Sequence, residues 1–206
     1  MRPPTDTVST FRPLLRPHVK RFTAPTGEFC SLYREFTEDT AFIERFTGKV
    51  FCDVAFVEDV PAGFQWTSLG DFEIPSLNAM LRLCLGDAYL VELYVRPAYR
   101  GKGLAPFVEQ RVYRELSTLG YRRMFVLIEV GNRPMIRLAG KMGFDPYYLI
   151  SISRLAPVER LIATPCRPEY AGALRVERVG RGLLPFRRPR WALTVVEPEA
   201  EGSLLR

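Results

Sequence analysis

The chain has 206 residues, of which 47% are hydrophobic and 25% charged, and its formal net charge is +6. These values are typical of one large domain or one domain with extensions, and the positive charge permits a polyanionic partner without identifying it. The four cysteines are widely spaced, which argues against a disulfide framework and a zinc site, and the single histidine, His18, argues against a histidine triad and a multi-histidine metal site. The sequence has no ~20-residue apolar stretch and no signal-peptide core, which argues against a membrane span and favours a cytoplasmic protein.

The N-terminal part is predicted to contain an arm, a strand and two helices. Residues 1–17 are rich in Pro, Arg and Thr, which is typical of a flexible arm. A first strand is predicted over 18–22. Aromatic and aliphatic residues over 27–46 then predict two helices, separated near residues 37–39.

A hairpin and an irregular segment follow. Residues 50–57 and 62–69 are apolar runs on either side of a short polar turn, which predicts two antiparallel strands. The segment 70–87 interrupts the pattern, and a short helix is predicted over 77–85.

The middle of the chain combines a strand, a glycine-rich turn and a helix. The run Tyr89-Leu-Val-Glu-Leu-Tyr-Val95 predicts the strand, and Arg100-Gly-Lys-Gly-Leu-Ala105 the turn. Apolar residues at Val108, Val112, Leu116 and Leu119 predict one helical face, with Glu109, Gln110, Arg111 and Arg114 on the other. The first amides of a helix lack internal partners and carry the positive end of its dipole, so this turn predicts a phosphate or pyrophosphate site.

A second strand and helix complete the pattern. Met124, Val126, Ile128 and Val130 alternate with Phe125, Leu127 and Glu129, which predicts a strand. Strand, helix and strand of this length are expected to form a right-handed unit with a parallel strand pair. Asn132 is a good N-cap for the next helix, which is expected to end at Gly143. A strand is predicted over 147–152.

Two motifs resemble a known family. Arg100-x-x-Gly103-x-Ala105 resembles the acyl-CoA signature of the GNAT N-acetyltransferase superfamily, and Asn132 followed by Gly143-Phe144 resembles its second conserved block. The resemblance covers roughly residues 88–150. It implies an α/β (α+β) fold, the GNAT acyl-CoA N-acyltransferase fold, with flanking helices and a mixed central sheet that contains a splayed parallel pair. A dinucleotide-binding fingerprint is rejected because its third glycine is missing.

The resemblance implies acetyl-CoA as acyl donor and an amine, on a small molecule or a protein, as acceptor. Strand main chain would bind the pantetheine arm, turn amides with nearby positive charge would bind the pyrophosphate, and an asparagine would contact the cofactor while it caps a helix. The corresponding residues are Leu93, Tyr94, Val95, Arg100, Gly101, Lys102, Gly103, Leu104, Ala105 and Asn132.

Catalytic candidates are less clearly marked. A carboxylate can remove the amine proton, and Glu92 is the first candidate and Glu129 the second; the alternative for each is an exposed or ion-paired strand residue. The family often has a tyrosine acid seven residues after the asparagine, but Ala139 stands here. Tyr147 is the candidate for the general acid in its place, with Tyr94, Tyr148 and solvent as alternatives.

The C-terminal part leaves several alternatives open. The domain is expected to span 18–154, followed by a basic extension over 155–196 and a disordered tail over 197–206. The last strand, over 191–196, is expected at the sheet edge. Arginines over 175–190 are compatible with nucleic acid or lipid headgroups, but a solvated segment is the simpler interpretation, so no nucleic-acid partner is expected. A homodimer, and a non-catalytic acyl-CoA-binding or regulatory module, are alternatives.

Overall fold

The computed structural model describes residues 13–38, 41–155, 158–166, 168, 175–178 and 190–196. The predicted arm, except for residues 13–17, and the predicted tail lie outside these ranges. Eleven strands occur in the described residues: β1 (Pro17–Phe22), β2 (Val50–Val57), β3 (Val60–Ser68), β4 (Phe72–Ile74), β5 (Ala79–Arg82), β6 (Asp87–Val95), β7 (Arg123–Glu129), β8 (Asp145–Leu155), β9 (Val158–Pro165), β10 (Arg175–Arg178) and β11 (Arg190–Val196).

Six helices lie in the described residues. Three are α-helices, namely α1 (Gly27–Arg34), α2 (Leu104–Thr118) and α3 (Arg133–Lys141), and three are 3₁₀ helices, over Ala41–Arg45, Pro75–Leu77 and Pro97–Tyr99. None of these helices is long and apolar enough to cross a membrane. Thr26 and Asn132 cap the starts of α1 and α3, where their side chains accept hydrogen bonds from Phe29 N and Met135 N. Of these two caps, Asn132 was predicted from the sequence.

A mixed eight-stranded sheet, in the order β1-β2-β3-β6-β7-β11-β8-β9, forms the centre of the structure. Helices α2 and α3 pack on one face, where Leu90, Val112 and Ile128 belong to one buried cluster. Helix α1 and the 3₁₀ helix that follows it cover part of the other face with an aromatic cluster around Phe29 and Trp66. A small antiparallel sheet, β10-β5-β4, covers the rest of that face.

The parallel pair, β6 and β7, is joined over only part of its length. Residues Asp87–Leu90 pair with Arg123–Val126, and the ladder ends there although both strands continue. On its other side β6 stays paired with β3 up to Val95, with a bulge at Val91. The two strands therefore part beyond Leu90, and the predicted mixed sheet with a splayed parallel pair is confirmed.

Two expectations about individual elements are wrong, and one expected helix is present in a 3₁₀ form. Residues 77–85 form no α-helix, because the chain leaves the 3₁₀ helix through Asn78, at a φ of 46°, and continues as β5. The second of the two N-terminal helices is a 3₁₀ helix. Strand β11 lies inside the sheet, because it forms antiparallel ladders with both β7 and β8; the edge strands are β1 and β9.

Candidate functional site

The glycine-rich turn lies at the carboxyl end of β6 and leads into α2. It begins where Arg96 N donates to Ala62 O at 2.9 Å, passes through one turn of 3₁₀ helix and ends at Gly103, the N-cap of α2. Gly101 and Gly103 have φ values of 72° and 82°, a region that side chains with a Cβ rarely occupy. These two glycines therefore allow the backbone path that aims the start of α2 at the turn.

The amides of this turn form a cradle, which we define as the main-chain N–H groups of residues 101–105. Within the described part of the chain, none of them donates to another backbone group outside α2, and the first hydrogen bond of the helix runs from Phe107 N to Gly103 O at 3.2 Å. Pro106, in the first turn, has no N–H to satisfy. Unpaired amides at a helix start are a general anion-binding arrangement.

Two exposed cations stand beside the cradle. The Arg100 Nε donates to Val95 O at 2.9 Å, and its guanidinium carbon lies 5.9 Å from the ring centre of Tyr94. The Lys102 ammonium lies 5.9 Å from the ring centre of Tyr99. Both side chains are thus held close to the turn while they remain open to solvent.

The gap between β6 and β7 opens next to the cradle. Beyond Leu90, the β7-facing edge of β6 has no strand partner in the described structure, so the main chain of Leu93, Tyr94 and Val95 borders this gap. The exposed Asn132 stands just after the carboxyl end of β7, where its side chain accepts from Met135 N at 3.2 Å. The structure therefore brings the predicted cradle, strand edge and asparagine to the same end of the sheet.

Glu92 lies on β6 on the α1 side of the sheet, in an ion pair. Its Oε2 is 2.6 Å from Nη1 of Arg45, and the Arg45 guanidinium carbon lies 5.5 Å from the ring centre of Trp66. Burial, and next the nearby Glu92 carboxylate, raise the pKa of Tyr33, whose hydroxyl accepts a hydrogen bond from Trp66 Nε1. Arg45 was not predicted from the sequence, because the pairing joins residues 47 positions apart.

The other two catalytic candidates have different surroundings. Glu129 is exposed at the end of β7, and its main-chain oxygen accepts from Asn132 N at 2.8 Å. Tyr147 is only 3% exposed and packs against Phe125, with its hydroxyl 3.5 Å from Nη1 of Arg123. Arg123 begins β7, so the Tyr147 hydroxyl is directed toward the end of the sheet away from the cradle, and the structure does not bring it to the site.

The prediction for one face of α2 is wrong. Glu109 and Gln110 were expected on the polar side, but both are buried, because the helix contacts the sheet and α3 over a wider arc than the Val108–Val112–Leu116 stripe. Glu109 is 1% exposed, and burial raises the pKa of its carboxyl from 4.5 to about 8. In the sequence, the one sign of this burial is that Glu109 directly follows the apolar Val108.

Comparison with known proteins gives a consistent picture. Residues 19–144 match the family model described as "Acetyltransferase (GNAT) family". The fold is similar to the ribosomal-protein-S18-alanine N-acetyltransferase of Escherichia coli, with a TM-score of 0.57 at 12% identity over 93% of this chain and 99% of that one. No curated protein matches the sequence.

Two further similar structures were determined with a nucleotide thiol or thioester. Arabidopsis thaliana NAA60 in complex with acetyl-CoA has a TM-score of 0.56 at 16% identity, covering 89% of this chain and 99% of that one. An acetyltransferase of Bacillus subtilis in complex with CoA has a TM-score of 0.52 at 11% identity, covering 89% and 98%. At these identities, the similarity shows a shared fold.

Proposed function

The chain belongs to the GNAT acetyltransferase family, and we propose that it transfers an acetyl group from acetyl-CoA directly to the nitrogen of an amine. The observation that carries the proposal is the amide cradle at the start of α2, beside the point where β6 and β7 part. A diphosphate needs N–H donors and positive charge, and a pantetheine arm needs unpaired strand edge to bond to. The N–H donors come from residues 101–105, the positive charge from Arg100 and Lys102, and the unpaired strand edge from β6.

Each part of the site has one task in this proposal. The cradle and the two cations hold the diphosphate, while the main chain of Leu93, Tyr94 and Val95 aligns the arm and polarises the acyl carbonyl. Asn132 adds a polar contact at the opposite side of the gap. The thioester supplies an activated acyl group, so the protein has to position it, exclude competing water and remove a proton from the amine.

Glu92 is the base that the geometry favours. Its carboxylate is half-exposed, stands on β6 next to the proposed acyl position, and is held by Arg45 at 2.6 Å. A carboxylate in this position can accept the amine proton directly or through water. Glu129, across the gap at the end of β7, is the second candidate.

The proposal is tested with purified protein, acetyl-CoA and a panel of small amines, amino sugars and peptides with free N-termini. We expect release of free CoA thiol that depends on an acceptor, with CoA binding measured separately by calorimetry. Failure to bind CoA would refute the proposed site. Tight binding without thiol release on any acceptor would instead identify a non-catalytic acyl-CoA-binding module.

A variant tests the base. We expect Glu92→Gln to lower kcat by about 10²-fold or more, the usual size of a general-base effect, with little change in CoA affinity. Glu28→Gln is the matched control, since it removes an exposed carboxylate from an ion pair with Lys20 on the same protein. If the two variants turn over equally fast, Glu92 is not the base, and Glu129→Gln becomes the variant to measure.

A further inference from the structure

A small cavity lies between α2 and α3, above the place where the parallel pair ends. It is lined by Leu90 of β6, by Glu109, Gln110 and Tyr113 of α2, and by Met142 and Phe144 after α3. Leu90 is the last residue of β6 that pairs with β7, so the cavity stands at the apex of the gap between the strands. Its volume of about 10 Å³ corresponds to the space for roughly one water molecule.

The carboxyl group of Glu109 is the unusual member of this lining. Its Oε2 is fully buried and has no hydrogen-bond partner in the described structure. A buried carboxylate without a cation is costly, so the neutral, proton-bearing form is favoured; burial alone raises its pKa to about 8. At neutral pH, Glu109 is therefore a buried acid with a proton to give.

Within the described residues, no nearby charge offsets the burial of the Glu109 carboxyl. Lys141 and Tyr113 are the titratable groups that line the cavity with it, and the Lys141 residue is exposed. On the sheet beneath α2, Arg21 of β1 and Asp53 of β2 pair with each other, at 2.8 Å.

Two more buried oxygens on β3 lack partners in the described structure, namely Gln65 Oε1 and Thr67 Oγ1. Trp66 between them contacts Phe29 on the α1 side of the sheet. Because side chains alternate along a strand, Gln65 and Thr67 point toward the side on which α2 packs. The α2 side thus carries unsatisfied polar groups, which is a setting that can hold a water molecule and relay a proton.

The position of Glu109 fits the path of the proposed substrate. It lies five residues after Leu104, or about 7.5 Å along the helix from the cradle. In the proposed binding mode, a thioester held by its diphosphate at the cradle, with its arm in the gap, would extend toward the apex at Leu90. The sulfur end of the arm would then approach the cavity that contains Glu109.

We propose that Glu109 donates the proton that the sulfur of CoA takes up when the acyl group leaves it, through the water-sized cavity at the gap apex. This inference rests on the proposed acetyl transfer. The amine nitrogen forms a bond to the acyl carbon, and the carbon–sulfur bond breaks with its electron pair on sulfur. The amine proton goes to the base, the Glu109 proton goes to sulfur, and solvent returns a proton to Glu109.

The proton affinities of donor and acceptor are well matched. The ordinary pKa of a thiol is about 8.5, close to the value of about 8 that burial imposes on Glu109. An acid whose pKa lies near that of the leaving group and near the working pH is an efficient donor. An ordinary exposed glutamate would be ionised and without a proton at pH 7.

The test compares Glu109→Gln with wild-type protein in acetyl-CoA thiol release, using an acceptor active in the amine panel. Glutamine keeps the shape but cannot titrate, so we expect kcat at pH 7 to fall about tenfold or more, while the KM for acetyl-CoA and the calorimetric affinity for CoA stay within about twofold. Wild-type kcat should decline above pH 8, and the variant should lose this decline. Glu115→Gln, a carboxylate change six residues or about 1.7 turns further along α2, should keep both the rate and the profile.

Three outcomes are informative. Equal kcat and equal pH profiles in an active wild-type enzyme would overturn the role of Glu109 and leave acetyl transfer intact. A wild-type protein that releases no thiol would remove both proposals together.

A second measurement needs no variant activity. The carboxyl carbon of Glu109 should titrate near pH 8 by NMR, and saturating CoA should move the midpoint of this titration. An unmoved midpoint contradicts contact with the thiol.

Discussion

Glu109 also makes a testable contribution to stability. Its carboxyl has an ordinary pKa of 4.5 and a folded-state value of about 8, so between these values the unfolded chain has lost a proton that the folded chain keeps. The free energy of unfolding of the wild type should therefore fall as pH rises through this window, by up to about 1.4 kcal/mol per pH unit relative to Glu109→Gln. Urea unfolding of both proteins at pH 5, 6, 7 and 8 measures the difference.

The stability control is Glu115→Gln on the same helix. Its carboxylate is half-exposed and pairs with Arg21, so its removal should shift the unfolding curves by a similar amount at every pH in this range. A stability difference between wild type and Glu109→Gln that does not depend on pH would show that Glu109 is ionised in the folded protein. The same result would remove the proton that the proposed transfer needs.

The backbone at Gly101 allows a matched pair of variants for the cradle. A Cβ at Gly101 or at Gly48 would meet nothing within 4 Å, and both residues have positive φ, at 72° and 80°. Valine should therefore cost each protein a similar 1–2 kcal/mol of backbone strain. Gly48 precedes β2 at the other end of the sheet, so only Gly101→Val should weaken CoA binding, by tenfold or more in calorimetry.

The comparison separates strain from ligand binding. Equal CoA affinities for Gly101→Val and Gly48→Val would show that the turn does not hold the diphosphate. At the residue level, the sequence predicted the glycine turn before α2, where Gly101 and Gly103 have positive φ values. That this turn holds a diphosphate stays a prediction. The sequence did not reveal Glu109 or the Arg45–Glu92 pair, because both depend on which surfaces meet in three dimensions.

Helices and strands with strong local signals were predictable. The apolar spacing of α2 and the Asn132 cap of α3 specify these elements without tertiary contacts. The local sequence of segment 77–85 is ambiguous, because the spacing of Leu77, Met80 and Leu81 also fits a helix. In the structure, Ala79 and Leu81 are instead buried on one face of β5. Pairing with β4 and β10 decides in favour of a strand, and those contacts are not visible in the local sequence.

A substitution of Gly140 by alanine should stabilise helix α3. A Cβ there would meet nothing within 4 Å outside the helix backbone, and Gly140 lies in the last turn, where alanine is the better helix former. Gly140→Ala should raise the free energy of unfolding by about 0.5–1 kcal/mol in urea titration. The same change at Gly120, with a φ of 85°, should instead lower it by about 1 kcal/mol. A loss of stability at Gly140 would mean that α3 packs more closely than its open surroundings indicate.

The whole sheet depends on a strand from the end of the described chain. Strand β11 pairs with β7 over residues 191–196 and with β8 on its other side, so it joins the part that carries the site to β8 and β9. Residues 191–196 are apolar except for Thr194, which predicts a strand, but both an edge and a central position in the sheet fit this sequence. The order of strands is set by long-range pairing, which is why the expected edge position was wrong.

A truncation tests this dependence. A chain ending at residue 189 lacks β11, which leaves unpaired backbone on β7 and β8 in the middle of the sheet, and this loss should exceed the 5–15 kcal/mol of a typical domain. We expect no cooperative thermal unfolding and no CoA binding. The control ends at residue 196 and keeps β11 whole, so it should retain both. Cooperative unfolding of the shorter chain would mean that β7 and β8 close the sheet without β11, and that the site does not need the C-terminal strand.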